Sequence, residues 1–166
     1  ARRVREAHVF SEIVPRDITA DEVVAREPVG VILSGGPASV YEPGAYGIDQ
    51  RIFDLGIPVL GICYGHQVLA DGLGGTVERN DVAEYGPADL TVTRESVIFA
   101  GLAIDQPVWM SHRDAVTEAP PGFVVTASTA DSPVAAMEDP ERRLYGVQFH
   151  PEVVHTPRGQ EILKHF

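Results

Sequence analysis

The chain is poor in cysteine, in basic residues and in long apolar runs, and each shortage excludes a class of protein. Its single cysteine cannot form an internal disulfide, which favours a reducing, cytoplasmic compartment. Lysine and arginine number 13 against 24 acidic residues, so the formal net charge is −11, and no basic block occurs. This balance argues against nucleic acid or an anionic membrane as partner. No apolar run is long enough for a membrane span.

The composition that remains is typical of a globular domain. The sequence has 166 residues, of which 44% are apolar and 22% charged, enough to bury a substantial core. No internal repeat, low-complexity tract or long linker divides it. We therefore expect residues 1–166 to form one domain.

The lone cysteine, Cys63, lies between two glycines where a strand is expected to meet a helix. Residues 57–60 are an apolar run typical of a buried strand, and residues 67–73 have helical spacing. The pattern Gly-x-Cys-x-Gly resembles the nucleophile elbow of hydrolases, in which glycines allow a sharp turn. A helix N-terminus favours a thiolate over a thiol. The alternative is a buried cysteine at a strand end, the commoner fate of a single cysteine.

A thiol nucleophile needs a base, and the sequence offers His150-Pro151-Glu152 directly after an apolar strand. In an extended segment residues i and i+2 project to the same side, so the Glu152 carboxylate can reach the His150 ring. The alternative is a strand-end histidine followed by a surface glutamate. Paired with the cysteine elbow, the motif favours a catalytic base and its orienting group.

A third motif, Ser34-Gly35-Gly36-Pro37, follows the predicted strand 29–33. Its glycines allow backbone N–H groups to point into a cavity, as an oxyanion hole requires. A phosphate loop or a plain turn are the alternatives, but neither G-K-[ST] nor G-x-G-x-x-G spacing occurs. The histidines also lack the spacing of a metal site, so no metal is expected.

The order of elements predicts an α/β fold, with an open and mostly parallel sheet flanked by helices and a smaller antiparallel part. The first half reads as strand 9–14, helix 19–26, strand 29–33, helix 48–55 and strand 57–60. The second half reads as antiparallel strands and a final helix, namely 90–93, 108–111, 124–128, 134–137, 144–149 and 155–166. Segments 39–47 and 77–89 have the composition of mobile loops.

These motifs resemble the class I (triad) glutamine amidotransferases, with matches at 33–37, 61–67 and 146–152. The resemblance implies flavodoxin-like layers and a glutaminase, in which Cys63 attacks the glutamine amide, His150 transfers protons and Glu152 orients His150. It also implies that backbone N–H groups of Gly36 and Tyr64 hold the oxyanion. The residues expected to bind glutamine are Gly35, Gln67, Ser111, His112 and Arg113.

Within that family, segments 2–6, 84–86, 108–112 and 149–156 resemble the branch that passes ammonia to an ATP-dependent synthetase converting XMP to GMP. The resemblance implies a synthetase partner, either a separate subunit or a missing domain, that carries ATP and Mg²⁺. No S-G-G-x-D-S loop of an ATP pyrophosphatase occurs here, and no cofactor is expected on this chain. Glutamine is then its small-molecule substrate.

Two departures from the family pattern keep other functions open. The family begins with a strand before the first helix, so the domain is expected to lack its first strand, beside residues 29–33. Arg113 stands where glycine is expected, and it would either strain or crowd the pocket or pair with the substrate carboxylate. The alternatives are a glutaminase of another amidotransferase, a free-standing γ-glutamyl hydrolase, and a catalytically silent docking module.

Overall fold

The computed structural model describes residues 1–45 and 47–166, except for the side chain of residue 81. Its helices are α1 (Arg2–Glu6), α2 (Ala20–Val24), α3 (Tyr64–Gly72) and α4 (Gly159–His165), with a 3₁₀ helix at Gln50–Asp54. Its strands are β1 (Val31–Leu33), β2 (Val59–Ile62), β3 (Thr76–Val92), β4 (Asp105–Glu118), β5 (Val124–Ser128), β6 (Ala136–Asp139) and β7 (Leu144–Val147). No described helix has both the length and the apolarity to cross a membrane.

All seven strands form one mixed sheet in the order β1-β2-β7-β6-β5-β3-β4. The first three are parallel, and every other neighbouring pair is antiparallel. In the parallel part Leu33 pairs with Gly61, and Gly61 pairs with Gly146. The carboxyl ends of β1, β2 and β7 therefore meet at one edge, where open α/β sheets place their sites.

The sheet is covered on both faces, which explains the uninterrupted apolar runs of its central strands. Every residue of β2 and β7 is buried. One core cluster includes Leu60, Phe149 and Ile162 of α4, and the other includes Val59 and Leu69 of α3. Helices α3 and α4 thus contribute to different clusters, and the predicted α/β class with helices around the sheet is confirmed.

The antiparallel part is larger than the sequence predicts, because the polar segment 77–89 is not a loop. It lies within β3, which pairs with β4 along most of its length. Exposed Tyr85 alternates with buried Glu84 in this strand. A strand with one solvated face is rich in polar residues and resembles a loop in composition. The predicted loop 39–47 has no helix or strand in its described residues, and Tyr46 lies outside them.

Three further element predictions were wrong or too long. Residues 9–14 form no strand, and Phe10 and Ile13 are 88% and 79% exposed. β-propensity alone does not make a strand when no neighbouring strand pairs with the segment. The predicted helix 48–55 is the short 3₁₀ helix, and the predicted helix 155–166 begins only at Gly159. A helix within 19–26 is confirmed, but it is shorter than predicted: it spans Ala20–Val24 and starts from a capping box between Thr19 and Glu22.

Strand β1 lies at one edge of the sheet. Among the described residues it pairs with β2 alone, and its Ile32 remains 36% exposed. An edge with apolar side chains is a surface that proteins ordinarily cover. The expected additional strand beside residues 29–33 stays a prediction.

Candidate active site

Cys63 lies at the turn between β2 and α3 and has backbone angles of φ 53° and ψ −107°. A positive φ is rare outside glycine and is associated with strained functional positions. The turn is held by hydrogen bonds from the Cys63 N–H to the Val147 carbonyl at 2.9 Å and from the Gln67 N–H to the Cys63 carbonyl at 3.1 Å. The structure therefore fixes the backbone of the only cysteine firmly.

The two glycines beside Cys63 are required for their small size rather than for backbone freedom. Neither Gly61 nor Gly65 has a positive φ. A Cβ atom on Gly61 would lie 2.5 Å from the Gly65 carbonyl oxygen, and one on Gly65 would collide with the Leu33 carbonyl. Their absent side chains let β1, β2 and α3 approach closely, which differs from the reason expected from the sequence.

His150 and Glu152 follow β7 and hydrogen-bond to each other. His150 Nδ1 lies 2.7 Å from Glu152 Oε1, and the side chains are 16% and 42% exposed. The His150 N–H donates to the Trp109 carbonyl at 2.9 Å, and the Thr156 hydroxyl donates to the His150 carbonyl at 2.7 Å. Arg3 Nε donates to the Glu152 carbonyl at 2.9 Å. Backbone contacts from three parts of the chain thus hold this histidine and glutamate.

The thiol of Cys63 and the ring of His150 lie on the same side of Gly35. A Cβ atom on Gly35 would be 3.6 Å from the Cβ of Cys63 and 3.3 Å from His150 Cε1. The thiol donates to the Ser111 carbonyl at 3.7 Å. His150 Nε2 is buried and makes no well-formed hydrogen bond in the described part of the chain. It is the ring nitrogen left available once Nδ1 is taken by Glu152.

The charge balance of this group favours an imidazolium ring. Its interaction with Cys63, followed by the hydrogen bond with Glu152, raises the pKa of His150 to about 10. Burial raises the pKa of Glu152, but the hydrogen bond from His150, a backbone hydrogen bond and the nearby positive charges together lower it overall. Glu152 is thus a carboxylate facing Nδ1–H. The arrangement has the parts needed to move a proton from a thiol to Nε2.

An open cleft of about 1220 Å³ lies in front of Cys63. Gly36 is at its edge, and a Cβ atom there would be 3.5 Å from Tyr64 Cδ1, so the glycine loop lies beside the first residue of α3. The cleft also exposes Arg113 and part of Ser111. Its lining residues are Gly36, Pro37, Ala38, Ser39, Tyr41, Glu42, Cys63, Gln67, Val77, Glu78, Arg79, Tyr85, Ser111, His112, Arg113, Asp114 and His150.

Two of the residues expected to bind substrate have side chains occupied by the protein. Gln67 Nε2 donates to the Asp114 carbonyl at 2.7 Å and lies 3.3 Å from Gln148 Oε1. The His112 ring is 2% exposed and faces Glu84 rather than the solvent of the cleft. Both residues border the cleft, yet Gln67 Nε2 and both ring nitrogens of His112 already have partners.

Arg113 is exposed on the cleft wall, and none of the described residues forms an ion pair with it. Its backbone φ is not positive, since the non-glycine residues with positive φ are His8, Glu27, Cys63 and Arg143 in the described part. Arg113 therefore does not have the backbone strain that would be expected if this position required a glycine in the left-handed conformation.

Sequence reasoning missed Asp114 and the loop residues bonded to it. The Tyr41 hydroxyl donates to Asp114 Oδ1 at 2.8 Å, and the Ser39 hydroxyl donates to Oδ2. Burial and this hydrogen bond raise the pKa of Tyr41. The available signal was strand alternation, which places Asp114 on the same face as His112. No group of three or more potential metal-ligating side chains occurs among the residues that were described.

The fold and this site define a class of protein. The family model for class I glutamine amidotransferases matches residues 1–166, and the chain belongs to that family. Its relatives include the glutamine-hydrolysing GMP synthases of Parafrankia sp., 63% identical over 166 residues, and of Thermobifida fusca, 57% identical. Each match covers 100% of this chain and 31% of the relative, so the chain spans about a third of their length.

Solved structures agree with this placement. A protein from Thermoplasma acidophilum, assigned as one of the subunits of a GMP synthase, has a TM-score of 0.87 and 33% identity, covering 99% of this chain and 82% of that one. A glutamine amidotransferase from Thermotoga maritima has a TM-score of 0.68 and 27% identity, covering 77% of this chain and 58% of that one. The first of these is similar in length as well as in fold.

Proposed function

We propose that this chain is the glutaminase component of a GMP synthase. It hydrolyses glutamine to glutamate and ammonia, and the ammonia passes to an ATP-dependent synthetase that converts XMP to GMP. The observation that carries the proposal is the Cys63 elbow facing His150 and Glu152, on a chain 63% identical along its whole length to a GMP synthase.

Before the first step His150 Nε2 has taken the proton of the Cys63 thiol, which leaves the ring as an imidazolium. In the first step the resulting sulfur anion attacks the side-chain amide carbon of glutamine. The negative charge that develops on the amide oxygen is held by the backbone N–H groups of Gly36 and Tyr64. One such donor is worth about 2.7–4 kcal/mol in transition-state energy. The proximity of the Gly36 loop to the Tyr64 ring supports this assignment, because the two backbone segments lie close together.

In the second step the His150 imidazolium gives its proton to the departing nitrogen. The carbon–nitrogen bond breaks, ammonia leaves, and a γ-glutamyl thioester remains on Cys63. His150 then takes a proton from water, the resulting hydroxide attacks the thioester carbon, and glutamate is released with the thiol restored. Glu152 keeps the ring oriented throughout through its hydrogen bond to Nδ1–H.

Glutamine binds in the cleft lined by Gln67, Ser111, His112 and Arg113; Gly35 does not line this cleft but precedes Gly36, which does. The Arg113 guanidinium has no partner among the described residues and pairs with the α-carboxylate of the substrate. Gln67 and His112 contribute through the shape of the wall, because Gln67 Nε2 and both ring nitrogens of His112 bond to the protein. This division distinguishes a charged contact from two residues that support the pocket.

The synthetase provides what this chain does not carry. We place ATP and Mg²⁺ on that partner and no cofactor here, and we expect a cytoplasmic location for the pair. Relatives about three times as long as this chain fit a synthetase in the same polypeptide. The Thermoplasma protein fits a synthetase on a separate chain. Ammonia is the product that joins the two activities in either arrangement.

The proposal is tested by ammonia release from glutamine, measured for the chain alone and with the synthetase, ATP and XMP. We expect slow hydrolysis alone and faster hydrolysis in the complex. Cys63→Ala should abolish glutamine-dependent GMP formation and preserve GMP formation from added ammonia. Comparable hydrolysis by Cys63→Ala would refute the triad. A preference for γ-glutamyl peptides without any partner effect would indicate a free-standing hydrolase, and no hydrolysis in any mixture a silent docking module.

A further inference from the structure

A buried carboxylate–histidine pair, Glu84 and His112, lies behind one wall of the cleft. His112 Nε2 is 2.9 Å from Glu84 Oε2, and the side chains are 2% and 8% exposed. The residues face each other directly across the pairing of β3 with β4. Such a pair gains little net stability over apolar residues, because both polar groups lose water on burial. Its effect on the geometry of its surroundings is therefore of more interest than its stability.

Both ring nitrogens of His112 face acceptors. Nδ1 lies 2.9 Å from the Asp114 carbonyl oxygen, which only accepts, so Nδ1 donates. Glu84 also accepts from the hydroxyls of Ser132 at 2.5 Å and Thr129 at 2.9 Å. Burial raises the pKa of Glu84, but the hydrogen bonds from His112, Ser132 and Thr129 outweigh it and lower the pKa overall. The Glu84 carboxylate is thus the hydrogen-bond partner of His112 Nε2.

Asp114 connects this pair to both walls of the cleft. Its carbonyl accepts from His112 and also from Gln67 Nε2 at 2.7 Å. Its carboxylate accepts from the Tyr41 and Ser39 hydroxyls of the loop that follows Gly36. Gln67, Ser39 and Tyr41 all line the cleft. A displacement of Asp114 would therefore move the loop and the helix side of the cleft together.

We propose that Glu84 and His112 are positioning residues for glutamine binding, because their buried hydrogen bond fixes Asp114 and Asp114 fixes loop 36–42 and Gln67. The inference rests on the proposed function, since it takes the cleft to be the glutamine pocket. Neither side chain contacts substrate, because both nitrogens of His112 are bonded within the protein. His66 of α3 interacts electrostatically with His112 but does not compete with it for the Glu84 carboxylate. Burial chiefly lowers the pKa of His66 to about 4, so its ring is neutral.

The test compares Glu84→Gln, His112→Gln and the double variant. Each single change keeps a hydrogen-bonding group but removes the pairing of carboxylate with imidazole, whereas two glutamines hydrogen-bond to each other without charge. We expect each single variant to raise the KM for glutamine at least about tenfold with kcat within about threefold of wild type. The double variant should have a KM closer to wild type than either single variant. A fall in kcat as large as the rise in KM would overturn the proposal. A double variant whose KM is no closer to wild type than that of the single variants would overturn it as well.

Glu138→Gln is the matched control, because Glu138 is also a buried carboxylate that accepts from a hydroxyl, Ser96 at 2.6 Å, but does not line the cleft. It should leave KM unchanged even where it lowers the unfolding temperature. If Glu138→Gln raises KM as much as the single variants, the effect is one of general stability and the positioning role is wrong.

Hydrogen exchange separates this inference from the proposed function, since it requires no activity. In the full chain, amide exchange in residues 36–45 should speed up by about tenfold or more in Glu84→Gln and His112→Gln, and stay constant in Glu138→Gln. A wild-type chain that never hydrolyses glutamine, with or without synthetase, would refute the proposed function alone. Unchanged exchange in both single variants would refute the positioning role, whatever the activity.

Discussion

Cys63 and His150 lie next to each other beside Gly35. A Cβ atom added to Gly35 would be 3.6 Å from the Cys63 Cβ and 3.3 Å from His150 Cε1. The three residues are distant in sequence and come together because β1, β2 and β7 are parallel neighbours with aligned ends. The distance between thiol and imidazole is thus set by strand register. A loop-borne site would not have this rigidity.

Gly35→Ala should therefore reduce catalysis more than stability. The added methyl forces the His150 ring to shift by a few tenths of an ångström, and misplaced reacting groups lose about ten- to a hundredfold in rate. We expect that fall in kcat, with KM within about threefold. Gly47→Ala is the control, because its methyl meets no atom within 4 Å and its φ is not positive. A Gly35→Ala enzyme with wild-type kcat would show that the contact is irrelevant to the reaction.

Gly65→Ala should act on stability. Its methyl would collide with the backbone carbonyl of Leu33, which cannot rotate away as a side chain does. Overpacking of this kind costs about 1–3 kcal/mol, so urea unfolding should show a reduced free energy. Gly72→Ala in the same helix is the control, because its methyl meets only side-chain atoms, at 3.4 Å or more, and alanine favours a helix. Equal stability of the two variants would contradict the tight contact.

The elbow and the His-x-Glu motif were predictable because their geometry is local. Residues 61–65 turn between a strand and a helix, and residues i and i+2 of an extended segment share a side. The structure accordingly brings Cys63, His150 and Glu152 together as the spacing indicates. Parallel pairing of β1 with β2 also followed from the alternation of strands and helices.

The rest depended on partners that composition does not show. The segment 77–89 is polar enough to resemble a loop, yet β4 supplies its hydrogen bonds. Residues 9–14 are apolar enough to resemble a strand, yet no strand pairs with them in the described chain. Resemblance placed His112 among the substrate contacts, whereas its ring is directed at Glu84, a residue 28 positions away. Pairings of that range are not visible in one sequence.

Arg113→Gly should weaken glutamine binding and spare the chemical step. Arg113 lines the cleft, is exposed, and has no ion-pair partner in the described part of the chain, so its loss removes positive charge from the pocket without disturbing the triad. We expect KM to rise severalfold, because about 1 kcal/mol or more of binding free energy from charge-assisted hydrogen bonding is lost. The kcat should stay nearly constant. Arg94→Gly, at an exposed site outside the cleft, is the control. A kcat change above about tenfold would contradict this placement.

The pKa of His150 gives the last prediction. It is raised from 6.5 to about 10, with Cys63 the largest cause and Glu152 the second. We therefore expect nuclear magnetic resonance to show the wild-type ring titrating near pH 10, with a lower pKa in Cys63→Ala and in Glu152→Gln. His66 is an internal reference, since burial and a bond to Val134 chiefly determine its pKa of about 4, which should not change.

The raised pKa also fixes the sign of a stability effect. A proton held more tightly in the folded state stabilises that state, so the contribution of His150 is fully present below pH 6.5 and is lost as the pH rises through about 10. The difference in unfolding free energy between wild type and His150→Gln should thus shrink across that interval, as measured by urea unfolding at each pH. In the Cys63→Ala background the same difference in unfolding free energy should shrink at lower pH, because Cys63 is the largest cause of the raised His150 pKa. A difference that grows with pH would show that the ring is neutral in the folded protein, and that the thiol is not paired with an imidazolium.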